Sequence, residues 1–403
     1  MEHFDFKRRV KFIQKFGRAL HAVGSPAHTI EATLTEMCSL VGIKGTFLSL
    51  PTSLHSSYAN DDDEVTRIER VEPVGVNLGK LSRVDFVSRE VISNQISFEE
   101  GVKRLDEIMT RPDPFGKRIR VAYFLFSVSG FQILFGGTWG DLVASLTVGL
   151  LLGVIALARP LGLVAQMFEA IVAVVASFAA YLLAKWIPGL NVGVIILSSL
   201  ITFMPGLYIT IAISEIATQN LVSGTARLVG GVMILMKLTF GVFIGSKIAS
   251  WFKIPELQVE FHQIPKWVPF VTLPITALMS TVNFKAERAD WKWMTLAGIF
   301  GFSCSKLGTH YLGPELGMFF GGACVGAMSN IFARLMNRPS SIFQFPGMIL
   351  LVPGSVGYRS LNFLFERNVV GGLDTAFSMI TLALALVVGI FFGNMFIKPR
   401  SSL

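Results

Sequence analysis

Thr202-Phe203-Met204-Pro205-Gly206-Leu207-Tyr208 and Leu350-Leu351-Val352-Pro353-Gly354-Ser355-Val356 place the same Pro-Gly pair inside two long apolar stretches. The prolines are 148 positions apart (353 − 205), and the offset recurs downstream. Gly224 aligns with Gly372, and Gly241-Val242-Phe243-Ile244-Gly245 aligns with Gly389-Ile390-Phe391-Phe392-Gly393. Proline lacks the N–H that would continue a helix and clashes with the preceding turn, while glycine lets the backbone bend and approach closely. A duplicated set of apolar helices, each copy carrying one broken helix, is the pattern expected of a secondary transporter.

Composition agrees with a membrane chain. Of 403 residues, 52% are hydrophobic and 15% charged, against roughly 25% charged in soluble domains. Charge thins out after Ile119, and the 17 Pro and 38 Gly suit transmembrane helices better than a soluble bundle. The net charge of +8 comes from basic residues that mostly flank apolar segments. It therefore argues for orientation in a lipid bilayer rather than for nucleic acid. Cys38, Cys304 and Cys324 form no CxxC and no metal-ligand spacing, so neither a disulfide framework, a metal nor a cofactor is expected. The chain opens Met1-Glu2-His3-Phe4-Asp5-Phe6-Lys7-Arg8-Arg9 without an apolar core, which predicts no signal peptide.

Residues 1–115 read as a small soluble α+β domain on the cytoplasmic side. Val10, Phe12, Ile13, Phe16 and Leu20 recur at helical spacing, Gly24-Ser25-Pro26 breaks the pattern, and a second helix runs from Ala27 to Val41. Short strands are expected over 45–75, with Asp61-Asp62-Asp63-Glu64 as a solvated turn between two of them. Two helices follow near 78–94 and 97–110, the last with Ser97 and Glu100 as a capping box. Ser53, His55 and Asp62 have no fixed catalytic spacing, and no GxSxG occurs, so an enzyme is not expected.

Ten apolar spans follow, near 119–136, 142–158, 161–184, 192–213, 228–250, 267–284, 291–312, 315–333, 342–365 and 375–397. Adding 148 to the first five lands close to the second five. This divides the membrane part into five-helix repeats at 116–250 and 251–403. Five is odd, so the copies enter the bilayer from opposite sides, as inverted repeats. With the N-terminus inside, twelve basic residues flank the inner ends, among them Lys117, Arg118, Arg227, Arg288, Arg334 and Arg338. Seven flank the outer ends, including Lys185, Lys247 and Lys266. That bias puts both termini in the cytoplasm of a multi-pass cell-membrane protein. Pairs such as Gly149/Gly153, Gly241/Gly245, Gly317/Gly321, Gly322/Gly326 and Gly389/Gly393 have the spacing of close helix contacts.

A half-helix starting after each break points free N–H groups and a positive dipole end at the bilayer centre, a natural place for a substrate carboxylate. The expected substrate-binding set is Pro205, Gly206, Tyr208, Thr210 and Ser214 at the first break, with Pro353, Gly354, Ser355 and Tyr358 at the second. Ionisable residues inside spans default to functional roles. Glu169 is the first choice for a coupling proton and Glu215 the second, with Lys237 as the positive partner. Lys306, His310, Arg359 and Glu366 also fall within spans.

Several segments in order resemble the threonine/serine exporter family across nearly the whole chain. They are Gly24-Ser25-Pro26-Ala27-His28-Thr29-Ile30-Glu31, Asn77-Leu78-Gly79-Lys80-Leu81, and Phe98-Glu99-Glu100-Gly101-Val102-Lys103-Arg104-Leu105-Asp106-Glu107-Ile108. Phe135-Gly136-Gly137 with Asp141, and the two Pro-Gly helices, complete the pattern. The second and third segments are similar to fungal pheromone-regulated membrane relatives. The resemblance implies export of small hydrophilic amino acids, threonine and serine, driven by protons. Split relatives imply a dicarboxylate such as succinate as the alternative substrate. A non-transporting membrane scaffold or sensor is the competing class, and homo-oligomerisation is left open by the sequence.

Overall fold

The computed structural model describes residues 2–60, 64–72, 75–158, 162–252 and 262–399. The N-terminal elements are α1 (Glu2–Ala22), α2 (Ala27–Leu40), β1 (Lys44–Leu50), β2 (Ser53–Ala59), β3 (Glu64–Arg70), α3 (Leu78–Ile92) and α4 (Phe98–Thr110). The expected helical stripe of α1 is its buried face, with Phe12, Ile13 and Phe16 all but inaccessible. Gly24 ends the first helix at φ +79 and lies against the backbone of Gly75 and Val76, a position that only glycine fills without strain. The strands form an antiparallel sheet in the order β1-β2-β3, with Leu48 opposite His55 and His55 opposite Ile68. Leu54, Ser56 and Tyr58 are buried on one face of β2, the period of two that a half-buried strand dictates. Asp61, Asp62 and Asp63 lie outside the described residues. Ser97 caps α4 by accepting from the Glu100 N–H at 3.2 Å, but the Glu100 carboxylate turns to Arg104 instead of closing the capping box. The reciprocal box forms at Thr138 and Asp141.

The remaining helices are α5 (Lys117–Leu134), α6 (Trp139–Ile155), the short α7 (Leu163–Gln166), α8 (Phe168–Trp186), α9 (Val192–Leu200), α10 (Gly206–Ala217) and α11 (Leu221–Ser250). After them come α12 (Val268–Asn283), α13 (Trp291–Leu312), α14 (Pro314–Met336), α15 (Ser341–Ile349), α16 (Gly354–Phe365) and α17 (Val369–Phe396). Apolar helices thus stand at the expected spans, but fewer than ten are long and apolar enough to cross a bilayer. Five qualify among the described residues: α8, α11, α14, α17 and the α15–α16 unit. A sixth is the pair α9–α10, bent by 55°. α6 and α12 are apolar but short, α5 opens on Lys117, Arg118 and Arg120, and α13 carries Lys292 and Lys306.

The two breaks have the same backbone. Pro205 sits at φ −81, ψ 33 and Pro353 at φ −81, ψ 37, and each is followed by a helix of 12 residues. The next turns match as well: Gln219 and Arg367 take positive φ of 67 and 61, also 148 apart (367 − 219). The glycine pairs make the contacts their spacing predicts. Gly241 and Gly245 of α11 meet the carbonyls of Ala170 and Val174 on α8, and Gly389 and Gly393 of α17 meet those of Phe319 and Ala323 on α14. The N-terminal elements are fastened to the second half. The Leu78 N–H donates to Phe284 O at 2.9 Å, Arg83 pairs with Glu287, and one buried cluster runs from Phe12 and Leu34 through Phe284 to Phe345 and Leu386.

Gly245→Val forces a side chain onto the Val174 carbonyl, an overpacking that costs about 1–3 kcal/mol. We expect a lower unfolding temperature in detergent for this variant. An unchanged melting temperature would contradict the close α8–α11 contact.

Candidate functional site

The two broken helices meet start to start. A Cβ placed on Gly206 would lie 3.1 Å from Gly354 N and 3.2 Å from Gly354 Cα, so glycine at both positions lets the two segments approach this closely. Gly206 opens α10 and Gly354 opens α16, which brings two helix N-termini, with their first-turn N–H groups and positive dipole ends, to one point, the Gly354 N–H itself donating to Val352 O at 2.9 Å. Beside the crossing is a cavity of about 610 Å³. Ser127, Thr202, Tyr208, Thr276, Ser280 and Ser355 bring hydroxyls to its wall, and Asn77 and Asn283 bring amides. Among the described residues three cations, Lys80, Arg227 and Lys285, line it, and no Asp or Glu does. Gly24 and residues 75–77 close one side, so the N-terminal elements form part of the wall.

The cations are held from behind. Lys285 pairs with Asp113 at 3.4 Å. Lys80 donates to Met109 O at 2.6 Å, and burial, with the nearby Lys285, holds its pKa below the usual lysine value against the pull of Asp113. Arg227 is the most enclosed of the three. Its Nε donates to Glu215 Oε2 at 3.0 Å and its Nη2 to Glu215 Oε1 at 3.1 Å, while its guanidinium lies 5.0 Å from the Tyr208 ring centroid. Glu215 is fully buried. It also accepts from the Ala27 N–H at 2.9 Å and from Ser223 Oγ at 3.3 Å. A carboxylate of the α10 terminus therefore sits at the N-terminus of α2, where anions are favoured. Glu31 adds a second tie, accepting from the Ser49 N–H at 2.8 Å and from Asn220 Nδ2 at 2.9 Å.

The expected substrate-binding residues separate into three groups. Pro205, Gly206, Tyr208, Gly354 and Ser355 line the cavity at the crossing. Thr210 and Ser214 line a second cavity of about 530 Å³ between α2 and α10, α15 and α17, and Thr210 Oγ1 donates to Gly206 O at 3.0 Å. Ile211 borders both cavities. Pro353 and Tyr358 line neither. Pro353 shapes the break, and Tyr358 is buried in a cluster with Leu235 and Leu238 of α11. Of the coupling residues, Glu169 lies in the first turn of α8 and pairs with Lys237 of α11 at 3.4 Å, both partly exposed. Lys237 also donates to Gln166 O at 2.7 Å. Glu215 is the anchor of Arg227 and α2 and shares no hydrogen-bond partner with Lys237 among the described residues. Lys306, His310 and Arg359 are exposed, and Glu366 accepts from Asn362.

The sequence pattern alone leaves Arg227 among the basic flanks. Its signal was a charge pair, Glu215 and Arg227, astride the turn at Asn220 in an otherwise apolar stretch. Ser53 Oγ and His55 Nε2 are 3.1 Å apart on β2, but Asp62 lies outside the described residues. Among the described residues no group of three or more His, Cys, Asp or Glu converges on a metal-sized site.

Apolar helices that pack through glycine and meet at paired breaks beside a polar cavity define a multi-pass helical membrane fold. Comparison with known proteins gives the family. The model described as "Threonine/Serine exporter, ThrE" matches residues 269–396, and a threonine/serine exporter model of the same family matches residues 11–249. The chain belongs to the threonine/serine exporter family. It is similar to "Pheromone-regulated membrane protein 10" of Kluyveromyces lactis, with 24% identity over 98% of this chain and 44% of that protein. The protein of that name in Eremothecium gossypii is 25% identical over 88% of this chain and 49% of its own length. That of Saccharomyces cerevisiae is 24% identical over 98% and 55%. The chain thus spans about half the length of the curated relatives it matches. No solved structure matches it.

His28 of α2 lies beside the Glu215–Arg227 pair, and its Nδ1 is buried without a hydrogen-bond partner among the described residues. Burial holds its pKa below the ordinary 6.5, with Glu215 opposing and Arg227 reinforcing the shift. On acidification the unfolded chain binds the proton first. Stability is therefore full above pH 6.5 and declines as the pH falls from there through the folded-state pKa. Thermal unfolding between pH 7.5 and 5 should show that decline, and His28→Gln should reduce it. An equal slope in the variant would exclude His28 as a source, leaving His21, which burial shifts in the same direction.

Proposed function

We propose that this chain is a secondary transporter that exports small hydrophilic metabolites bearing a carboxylate, threonine and serine first, with the proton motive force as the driving gradient. The observation that carries it is the meeting of two helix N-termini beside a polar cavity that no acidic side chain lines among the described residues. Such a cavity favours anionic groups. Membership of the exporter family and the apolar helices support export across a membrane rather than catalysis. A second substrate class, dicarboxylates such as succinate, is favoured by the three cations in the cavity wall.

The division into a cytoplasmic α+β domain at 1–115 and membrane repeats at 116–250 and 251–403 belongs to the same proposal. So do ten membrane-inserted segments, inverted repeats, both termini in the cytoplasm and placement in the cell membrane. The matched dihedrals at Pro205 and Pro353 and the matched glycine contacts of α11 and α17 support the duplication. Short segments such as α6 and α12 are compatible with it where they pack against full-length neighbours. Glu169, partly exposed and facing Lys237, is our choice for the coupling acid. Glu215, held by four donors, serves as an anchor instead.

In proteoliposomes we expect counterflow of labelled threonine or serine that a pH gradient accelerates, with succinate as the parallel substrate. Absence of flux for all three would overturn the proposal in favour of a scaffold or sensor. Pro205→Ala and Pro353→Ala each restore one helical hydrogen bond, worth about 1 kcal/mol, and should slow transport roughly fivefold without loss of membrane insertion. Wild-type rates in both would reduce the breaks to packing kinks.

Glu169→Gln keeps size and hydrogen bonding but removes titration. It should abolish acceleration by the pH gradient while substrate exchange persists. Full gradient-driven export in this variant would remove Glu169 from the coupling path. For topology, cysteines placed at the N-terminus and in the 251–265 connector should label from opposite sides of the membrane; labelling from the same side would refute the inverted arrangement.

A further inference from the structure

We propose that Arg227 is the carboxylate anchor of the cavity at the helix crossing, with Glu215 as its positioning residue. This rests on the transport proposal above and adds to it a specificity-determining side chain. A guanidinium has two forked edges, each able to hold one carboxylate by two N–H groups. Glu215 occupies the side edge of Arg227, formed by Nε and Nη2, at 3.0 and 3.1 Å. The end edge, formed by Nη1 and the second hydrogen of Nη2, has no protein acceptor among the described hydrogen bonds. Arg227 and the Tyr208 ring beneath it both line the cavity. The side chain is only about a tenth exposed, so its conformational freedom is already spent before a ligand arrives. A planar, pre-oriented donor pair at the wall of an acid-free cavity is suited to one chemical group, a ligand carboxylate. None of the described residues in the wall is suited to grip an ammonium group by charge, so hydroxyls and amides must recognise the rest of the ligand.

The positioning role of Glu215 follows from its other partners. Its Oε1 accepts from Arg227 Nη2 and from the Ala27 N–H, so the guanidinium and the start of α2 hang on one oxygen. Lysine cannot reproduce this arrangement, because a single ammonium does not offer two forked edges. The second half holds no equivalent pair. At an offset of 148, Glu215 falls on Phe363 and Arg227 on Thr375, so the anchor belongs to one side of the pseudo-symmetric crossing.

The test has two independent arms. In proteoliposomes, labelled serine flux through the wild type should be inhibited by serine and threonine but not by serinamide or ethanolamine, which lack the carboxylate. Arg227→Gln should raise the KM for serine by about tenfold or more, the scale of a lost charge-assisted bond, and Arg227→Lys should recover part of it. An unchanged KM in Arg227→Gln, or equal inhibition by serinamide, overturns the anchor. The second arm uses the wild type alone, since Arg227→Gln leaves Glu215 buried and risks misfolding. Phenylglyoxal modification of Arg227, read by mass spectrometry, should be slowed by serine or succinate and not by ethanolamine. If serine, threonine and succinate fail to move but still protect Arg227, the transport proposal fails and the anchor stands. If no carboxylate protects Arg227, the anchor is overturned whatever the flux.

Discussion

The backbone contact between Gly206 and Gly354 is the constraint on which the rest of the molecule depends. A Cβ added to either glycine would come within about 3.1–3.2 Å of the other's backbone, tighter than side chains normally pack. Each proline before those glycines ends the incoming helix, and each following helix starts at the crossing. The breaks thus do two things at once. They free backbone N–H groups in the interior of apolar segments, and they bring the two helix starts together. Unsatisfied N–H groups at depth are tolerated only where protein or a polar cavity receives them, and the cavity beside the crossing supplies that surrounding.

Around this nearly symmetric centre the side chains are not symmetric. α10 carries Tyr208, Thr210 and Glu215 where α16 carries Val356, Tyr358 and Phe363. The polar version faces the N-terminal elements, and Tyr358 of the other packs into the apolar cluster with Leu235. The matched backbone at the two breaks therefore sets the geometry, and the side chains of α10 supply the charge. The N-terminal elements exploit that divergence: α2 starts on Glu215, Glu31 holds Asn220, and residues 75–77 wall the cavity.

How much of this was readable in the chain depends on the range of the interaction. The breaks were legible because proline and glycine act on their own backbone, and Pro205 and Pro353 declare themselves in any apolar context. The glycine pairs were legible as contacts because their spacing fixes a helix face, and all five pairs meet a neighbouring helix. Helix positions were legible, but membrane crossing was less so, because α6, α12 and the charged start of α5 draw on their neighbours for burial. Thr210 and Ser214 were assigned to the crossing by proximity in sequence, yet each turn of α10 carries the chain roughly 5 Å further from Gly206, and both line the second cavity. Arg227 was the least legible. Its role depends on Tyr208, Glu215 and on Lys80 and Lys285, which are remote in sequence and come together only in the fold.

The charge pattern also explains why the N-terminal elements sit where they do. Arg227 needs a counter-charge to be buried, since an unpaired guanidinium in an apolar wall is costly. A carboxylate facing into the cavity would neutralise it but would repel an anionic ligand. Glu215 answers both demands by standing behind the guanidinium, outside the cavity wall. Its remaining lone pairs then need donors, and the Ala27 N–H at the start of α2 is the donor the fold provides. Docking of α2 is in this sense a consequence of keeping the cavity free of acids, and any movement of α2 bears directly on the residue that orients Arg227.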